Sequence, residues 1–284
     1  MRIKGTPRPL TRALLGAAVI AALAAVAPSS AAGAGLTGHA GPTPAKPTVV
    51  LVHGAWADGS SWSGVVQRLQ RDGFTVDVPP NPLRGLAGDA AYVEAYLRSI
   101  TGPVVLVGHS YGGAVITDAA TGSPNVKALV YVDAFVPDEG ESVVQLAAAQ
   151  PGSALAVADP TTVFALMPFP GAAPGDADLY LLPSVFRSAF ATDLPASQAA
   201  VLASTQRPVT LSALTAPSGP PAWKSIPSWY LVGTADEVLP AAEQRAMAAR
   251  AHSRVVSVDA GHLSLISRPK AVDDLILAAV RATS

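Results

Sequence analysis

Short apolar runs alternate with helical segments along most of this sequence, and this alternation limits the possible folds more than any other feature. The runs are rich in β-branched residues, as expected of strands buried on both faces. Six strands are predicted, at Thr48–Val52, Phe74–Val78, Pro103–Val107, Val126–Val132, Ser228–Val232 and Arg254–Val258. Helices are predicted at Ser60–Arg71, Ala87–Ile100, Gly112–Ala120, Ala241–Ala251 and Ala271–Ala282. Strands and helices that alternate in this way predict an α/β fold with a doubly wound, mostly parallel sheet.

Residues 138–225 interrupt the alternation. This stretch is rich in Pro, Ala and Gly, shows no clear strand pattern and contains several aromatic residues. An insertion this long inside an α/β sheet usually covers a functional site. We therefore predict one domain over residues 48–284, with a mostly helical cap inserted at about residues 138–225.

The first residues have the pattern of a targeting signal. Four basic residues precede an apolar run from Ala13 to Ala27, and small residues follow up to Ala34. This order is typical of a secretory signal peptide, which we assign to residues 1–34. The apolar run is shorter than the ~20 residues that cross a bilayer, so we expect cleavage and secretion, extracellular or into the cell envelope, rather than a stable membrane anchor. Residues 35–47 are rich in Gly, Pro and Thr and are predicted to form a disordered linker.

The charge of the chain argues against nucleic acid as a partner. The full sequence has 19 Lys and Arg and 20 Asp and Glu. Removal of the four basic residues in the predicted signal peptide leaves 15 against 20, a net charge of −5. Phosphate binding needs clustered Lys and Arg, and the remaining basic residues form no such stripe.

The residue types present also limit the chemistry. The sequence has no cysteine, which excludes disulfides, a thiolate nucleophile and thiolate metal sites. No group of His and carboxylate residues has the spacing of metal ligands. The glycines form no nucleotide-binding loop. We therefore expect neither a metal nor another cofactor.

The motif Gly108-His109-Ser110-Tyr111-Gly112 lies between a predicted buried strand and a predicted helix. A serine on such a sharp strand-to-helix turn has a strained backbone, and small residues are needed where the chain crowds on either side. The N-terminus of the following helix directs its dipole and free N–H groups at the reacting oxygen. Ser110 is therefore the predicted nucleophile.

A serine nucleophile needs a base, and only two histidines follow Ser110 in the sequence. His252 closes an Ala-rich helix, where it can interact with the negative end of the helix dipole. His262 follows the last predicted strand, at the carboxyl edge of the sheet where active sites of open α/β folds gather. We predict that His262 is the base.

The base in turn needs a carboxylate to orient it. Asp236 follows the predicted strand Ser228–Val232 at the same sheet edge and is our preferred candidate. Glu237 is adjacent to it but is expected to point elsewhere. Asp133 ends the preceding strand and could also reach the base; otherwise it is a buried, hydrogen-bonded structural acid.

Negative charge that develops on a substrate carbonyl needs hydrogen-bond donors. A nucleophile on this type of turn uses the N–H of the next residue and an N–H from an earlier strand–helix loop, here Tyr111 and Ala55. His53 is expected to shape that earlier loop rather than to titrate. Trp56 and Trp62 either border the pocket or belong to the core.

Five segments together resemble the α/β-hydrolases, and specifically the plant methylesterases and hydroxynitrile lyases with their bacterial esterase relatives. The segments are LVHGAWADGSSW, GHSYGG, VYVDAFVP, YLVGTADEVLP and DAGHLSLISRP. The likeness covers residues 48–137 and 226–282 and is absent from the insertion. It implies the α/β-hydrolase fold. By position, it also implies Ser110 as nucleophile, Asp236 as acid, His262 as base, and Ala55 and Tyr111 as oxyanion donors.

Two departures from related families narrow the chemistry. The lyases have a lysine directly after the catalytic histidine to handle cyanide, whereas Leu263 follows His262 here. Haloalkane dehalogenases and epoxide hydrolases use an aspartate where this chain has Ser110. Lyase chemistry is therefore not expected, and the aspartate mechanism is excluded.

We expect a serine hydrolase that cleaves a small to medium, neutral, apolar carboxylic ester through an acyl-enzyme intermediate. The expected partner is thus a small-molecule ester. The alternatives are a ligand-binding protein that keeps the fold without turnover, or a cofactor-free lyase or perhydrolase on the same three residues, because fold alone does not separate these functions. The sequence does not specify the oligomeric state.

Overall fold

The computed structural model describes residues 46–283. The predicted signal peptide, and all of the predicted linker except its last two residues, lie outside this range. Among the described residues, no helix is both long and apolar enough to cross a bilayer.

A six-stranded parallel sheet organises the described chain. Its strands have the spatial order β2-β1-β3-β4-β8-β9, and every neighbouring pair is parallel. Their bounds are β1 Thr48–Val52, β2 Val76–Asp77, β3 Val104–His109, β4 Val126–Val132, β8 Ser228–Gly233 and β9 Arg254–Val258. The three strands between β4 and β8 in the sequence belong to the insertion and are described below. All six predicted strands are confirmed, although the second is shorter than predicted.

The burial of the strands explains why the sequence pattern was clear. Every residue of β3 and β8 is buried, and so are nearly all residues of β1 and β4. A strand covered on both faces needs a continuous apolar run, because both sets of alternating side chains enter the core. At the edges of the sheet, β2 is half-buried, and four of the five residues of β9 are exposed.

Helices cover the sheet, as the alternating pattern predicts. They are α1 Ser63–Arg71, α2 Leu86–Arg98, α3 Tyr111–Ala119, α8 Ala241–Arg250, α9 Ser264–Ser267 and α10 Pro269–Thr283, with 3-10 turns at Gly59–Trp62 and Ala120–Gly122. Helix α1 packs against α10, and α2 packs against α3. The five predicted helices are confirmed.

The insertion contains both helices and a small sheet. Its helices are α4 Val143–Ala147, α5 Pro183–Val185, the π-helix Phe186–Phe190, α6 Ala196–Thr205 and α7 Leu211–Thr215, with 3-10 turns at Pro160–Thr162 and Ala222–Lys224. Its strands β5 Phe164–Met167, β6 Asp178–Leu181 and β7 Val209–Thr210 form an antiparallel sheet in that order. The regular structure is mostly helical, as predicted.

The insertion contains three strands that the sequence pattern did not indicate. Its strands are two to four residues long, and most of β5 is not buried. Period-two alternation needs several residues to be recognised, so strands this short leave no pattern in the sequence. They exist because they pair with one another over long stretches of chain, which is tertiary information.

The parallel arrangement brings the predicted site residues to one edge of the sheet. Ser110 follows β3, and Ala55 lies just after β1. Asp236 and His262 lie in the loops after β8 and β9. Because all these strands run the same way, their carboxyl ends and the loops that follow them meet at the same edge.

Candidate active site

Ser110 lies on a sharp turn between β3 and α3. Its φ of 53° and ψ of −126° are in a region that residues other than glycine rarely occupy. A Cβ atom added at Gly108 would lie 2.6 Å from the carbonyl oxygen of Gly112, and one added at Gly112 would lie 2.5 Å from the carbonyl oxygen of Val52. The two glycines of the motif are therefore required by close backbone approach, which is what lets the turn present Ser110.

Ser110, His262 and Asp236 form a continuous chain of hydrogen bonds. Ser110 Oγ is 2.9 Å from His262 Nε2, and His262 Nδ1 is 2.8 Å from Asp236 Oδ2. A carboxylate can only accept, so Nδ1 carries the proton and Nε2 is free to accept the proton of Ser110. All three predicted residues are thus brought together in the order needed to activate a serine.

Asp236 is held by three donors besides His262. Its Oδ1 accepts hydrogen bonds from the N–H groups of Val238, at 2.8 Å, and Leu239, at 2.9 Å. Its Oδ2 accepts a third from Gln244 Nε2, at 2.8 Å. Burial raises the pKa of Asp236, and the hydrogen bonds from Leu239 and Val238 act against that shift by stabilising the carboxylate.

His262 is fully buried. Burial disfavours the charged imidazolium and lowers the pKa of His262 to about 3, while the negative charge of Asp193 acts in the opposite direction. The imidazole is therefore neutral at physiological pH, which is the form that can accept a proton.

The rival residues considered from the sequence lie elsewhere. Asp133 accepts a hydrogen bond from Ser264 Oγ. Burial and the nearby Asp236 raise the pKa of Asp133 well above its usual range. Glu237 is exposed, and His252 is exposed at the end of α8. Among the candidate carboxylates, Asp236 is the one in contact with His262 Nδ1.

The predicted oxyanion donors border the same cavity as Ser110. Within residues 46–283, the backbone N–H groups of Ala55 and Tyr111 have no hydrogen-bond partner. His53 stabilises the loop that carries Ala55, because its Nδ1–H donates to Gly54 O at 2.9 Å and its Nε2 accepts from Asn81 N at 3.1 Å. Two residues with unpaired N–H groups thus border the same cavity as Ser110.

A cavity of about 450 Å³ opens at Ser110. Among the described residues that line it, none is charged. The cap contributes most of the wall: Val143, Val144, Ala147, Ala148, Leu155, Ala156, Val157, Pro160, Phe164, Leu166, Leu179, Leu211, Leu214 and Thr215. Three of these lining residues, Val144, Val157 and Leu166, are exposed.

The two tryptophans considered from the sequence have different positions. Trp56 lines the cavity, stacks on Phe164 with a ring separation of 5.6 Å and donates its indole N–H to Leu179 O. Trp62 is fully buried and packs edge-on against His109. Trp56 therefore connects the site to the cap, and Trp62 belongs to the core.

Sequence reasoning missed several residues that hold the site together. His109 is fully buried, and its Nε2 donates to the carbonyl oxygen of His262 at 2.9 Å. Asp89 accepts a hydrogen bond from the Tyr111 hydroxyl at 2.7 Å. Gln244 donates a hydrogen bond to Asp236, and Asp193 accepts one from the N–H of Gly261, just before His262. Of these, only His109 had a signal in the sequence, because it lies inside the serine motif.

Among residues 46–283, no cluster of His and carboxylate groups is arranged as a metal site.

A sequence model described as the alpha/beta hydrolase family matches residues 49–275. That range includes the central sheet except its first residue, Thr48, together with the cap and all the site residues described above. The match is consistent with the parallel sheet and with the serine turn after β3.

Individual relatives are named as esterases or hydrolases. A carbendazim hydrolyzing esterase from a Nocardioides species is 39% identical over 110 residues, which is 34% of this chain and 46% of that protein. The crystal structure of a pyrethroid hydrolase from Sphingobium faniae has a TM-score of 0.66 at 22% identity and covers 83% of this chain and 98% of that chain. The crystal structure of a methylesterase from Arabidopsis has a TM-score of 0.65 at 17% identity, with 83% and 99% covered.

The two structural likenesses have low sequence identity and support the fold alone. The curated relative matches over less than half of its own length. The family match covers most of the chain described by the structure. This chain therefore belongs to the alpha/beta hydrolase family.

Proposed function

We propose that this protein hydrolyses neutral, apolar carboxylic esters through an acyl-enzyme on Ser110. The observation that carries the proposal is the hydrogen-bond chain from Ser110 through His262 to Asp236. Ser110, at one end of this chain, lines an apolar cavity. The unpaired N–H groups of Ala55 and Tyr111 at the same cavity supply the remaining component of acyl transfer.

In the acylation step, Ser110 Oγ attacks the ester carbonyl carbon while His262 Nε2 takes its proton. The negative charge that forms on the carbonyl oxygen is stabilised by the N–H groups of Ala55 and Tyr111 and by the N-terminal dipole of α3. Asp236 orients the ring and stabilises the imidazolium. The tetrahedral intermediate then expels the alcohol, whose oxygen receives the proton from His262.

In the deacylation step, His262 takes a proton from a water molecule that attacks the acyl carbonyl carbon. The same two N–H groups stabilise the second oxyanion. Collapse of this intermediate releases the carboxylic acid and returns the proton to Ser110 Oγ. The protein ends the cycle in its starting protonation state, so no cofactor is needed to balance the reaction.

The cavity supports a neutral, apolar substrate of medium size. An apolar cavity of ~150 Å³ in another protein binds benzene. The cavity beside Ser110 has a volume of about 450 Å³, roughly three times larger, and so can hold more than one ring or a branched aliphatic group. A charged group would lose its hydration without gaining a partner there. The relatives named as an esterase and a hydrolase support ester hydrolysis as the reaction.

The test compares the wild type with Ser110→Ala, using a fluorophosphonate label and p-nitrophenyl esters of increasing acyl length. We expect labelling and turnover in the wild type only, with turnover in Ser110→Ala lower by several orders of magnitude. An acidic acyl group, as in p-nitrophenyl hydrogen succinate, should be cleaved much more slowly than the neutral butyrate. Equal turnover by both proteins would contradict the proposal.

Two other outcomes would replace the proposal with a different function. Labelling of Ser110 without turnover of any ester would retain the nucleophile and favour a lyase or perhydrolase reaction on the same residues. Saturable binding of an apolar ligand, with neither labelling nor product release, would favour a ligand-binding protein.

A further inference from the structure

The cap directly contacts the loop that carries His262. The Phe190 ring, at the end of the π-helix, lies 5.2 Å from the His262 ring, with an angle of 51° between the ring planes. Three residues further along the cap, Asp193 Oδ2 accepts a hydrogen bond from the N–H of Gly261 at 3.1 Å. The same oxygen accepts a second from Ser267 Oγ at 2.5 Å. One carboxylate of the cap therefore bonds on both sides of His262 in the sequence.

The cap packs so closely on this loop that position 261 has room only for glycine. Its φ is not positive, so its backbone conformation does not itself require glycine. A Cβ atom added at Gly261 would overlap Thr192 Oγ1 and would lie 3.2 Å from Asp193 Oδ1. The glycine at position 261 is thus explained by the packing of Thr192 and Asp193 of the cap, which leaves no room for a Cβ atom.

The same loop is held from the side of the sheet by His109. Its Nε2–H donates to the carbonyl oxygen of His262 at 2.9 Å. The backbone around His262 is therefore held from two different layers, with Asp193 in the cap bonding the N–H of the preceding residue, Gly261, and His109 in the sheet bonding the carbonyl of His262 itself. A side chain anchored in this way keeps its ring within reach of Ser110 without reorganisation during the reaction.

The charge of Asp193 has a second effect on the ring. It raises the pKa of His262, against the larger lowering by burial. A nearby negative charge stabilises the imidazolium that forms when His262 takes the proton of Ser110. Asp193 therefore favours the state that develops in the transition state, in the same direction as Asp236.

We propose that Asp193 is a positioning residue, through which the seated cap holds the Gly261–His262 segment in the geometry that makes His262 an effective base for Ser110. The inference rests on the proposed hydrolysis and adds to it a role for the cap beyond lining the cavity. Asp193 does not line the cavity, so it acts through His262 rather than on the substrate.

The test uses Asp193→Ala and Asp193→Asn, with Glu139→Gln as the matched control. Glu139 is an exposed carboxylate at the start of the cap. We expect Asp193→Ala to lower kcat by about 10- to 100-fold, since a 1 Å misplacement of a reacting group costs roughly 100-fold. KM should change little. Asp193→Asn retains an acceptor oxygen and should restore part of kcat, and Glu139→Gln should match the wild type.

A second readout does not depend on turnover. The proton on His262 Nδ1, which lies between the ring and Asp236, gives a far-downfield proton NMR signal that His262→Gln identifies by its loss. We expect this signal to be broadened or lost in Asp193→Ala, partly retained in Asp193→Asn and unchanged in Glu139→Gln. If the wild type shows the signal but turns over no ester, the proposed hydrolysis is wrong. The role of Asp193 is then tested by the signal alone, which should still be broadened or lost in Asp193→Ala.

Two results would overturn the inference. One is wild-type kcat and an unchanged Nδ1 proton signal in Asp193→Ala. The other is a loss of kcat together with an equal rise in KM and a lower Tm, with no recovery in Asp193→Asn, because that pattern means that Asp193 only supports the fold of the cap.

Discussion

At the scale of single residues, the site depends on which carboxylate reaches His262. Asp236 and Asp133 both follow strands of the central sheet, and both are buried. They differ in their donors. Asp236 bonds His262 Nδ1, two backbone N–H groups and Gln244, whereas Asp133 is hydrogen-bonded to Ser264. This difference in contacts gives the two residues different expected roles.

Replacement of these two aspartates should therefore have unequal effects. Asn at position 236 can donate to His262 Nδ1, which would move the ring proton to Nε2 and prevent it from accepting the proton of Ser110. We expect Asp236→Asn to lower kcat on the order of 10⁴-fold, as the equivalent change does in serine protease triads. Asp133→Asn should stay within a few-fold of the wild type, because a neutral amide can still accept from Ser264.

The measurement is kcat and the fluorophosphonate labelling rate for both variants on the preferred ester. Circular dichroism and Tm establish that each variant is folded. If Asp133→Asn lost as much activity as Asp236→Asn, with both folded, the assignment of Asp236 as the orienting acid would be wrong.

At the scale of secondary structure elements, what could be predicted depends on how local the signal is. Four strands of the central sheet are buried on both faces, and each has a mainly apolar run of sequence: β1, β3, β4 and β8. The cap strands β5 to β7 are short and partly exposed and are defined by pairing between distant segments. Their positions could not be predicted from local pattern.

The same distinction applies to the site. The positions of Ser110, His262, Asp236, Ala55 and Tyr111 at one edge of the sheet could be predicted, because each follows a strand of the central sheet. Asp193 could not, because its importance comes from the packing of the cap on the loop of His262. His109 was inside the motif, but its bond to the His262 carbonyl joins residues that are distant in the sequence.

The N-terminal segment is an element whose role remains a proposal from the sequence. We propose that residues 1–34 direct export and are then removed. Expression of the full chain in a secreting bacterial host, followed by N-terminal sequencing, should give a mature protein that begins near Gly35. A variant with Arg2, Lys4, Arg8 and Arg12 replaced by Asp should remain unprocessed, because the positive region is needed for targeting. Recovery of the uncleaved wild type with its first residues intact would contradict the proposal.

At the scale of the whole molecule, buried histidines connect folding to pH. Burial lowers the pKa of His53 and His262 and lowers that of His109 well below its usual range. An unfolded histidine has a pKa of ~6.5. Below that pH, the unfolded chain binds protons that the folded chain does not, so each of these histidines makes the free energy of unfolding fall as the pH falls.

Buried carboxylates act in the opposite direction. The pKa values of Asp89, Asp133 and Asp236 are raised by burial, so the folded chain takes up these protons at a higher pH than the unfolded chain does. In that range, they make the free energy of unfolding rise as the pH falls. The pH dependence of the wild type alone thus mixes two effects of opposite sign, and a single histidine must be isolated by comparison.

His109 is the histidine best suited to this comparison, because it is fully buried and does not touch the cavity. His109→Gln should be less stable than the wild type at pH 7.5, since it loses ring packing. As the pH falls below ~6.5, this difference should shrink by up to about 1.4 kcal/mol per pH unit, because the wild type must keep an uncharged imidazole that the variant lacks. Urea unfolding between pH 7.5 and 5 measures the difference. His252→Gln removes an exposed histidine and is the matched control for the loss of one imidazole. A constant difference for His109→Gln would mean that the folded protein binds a proton at His109 as readily as the unfolded chain does, contrary to its burial.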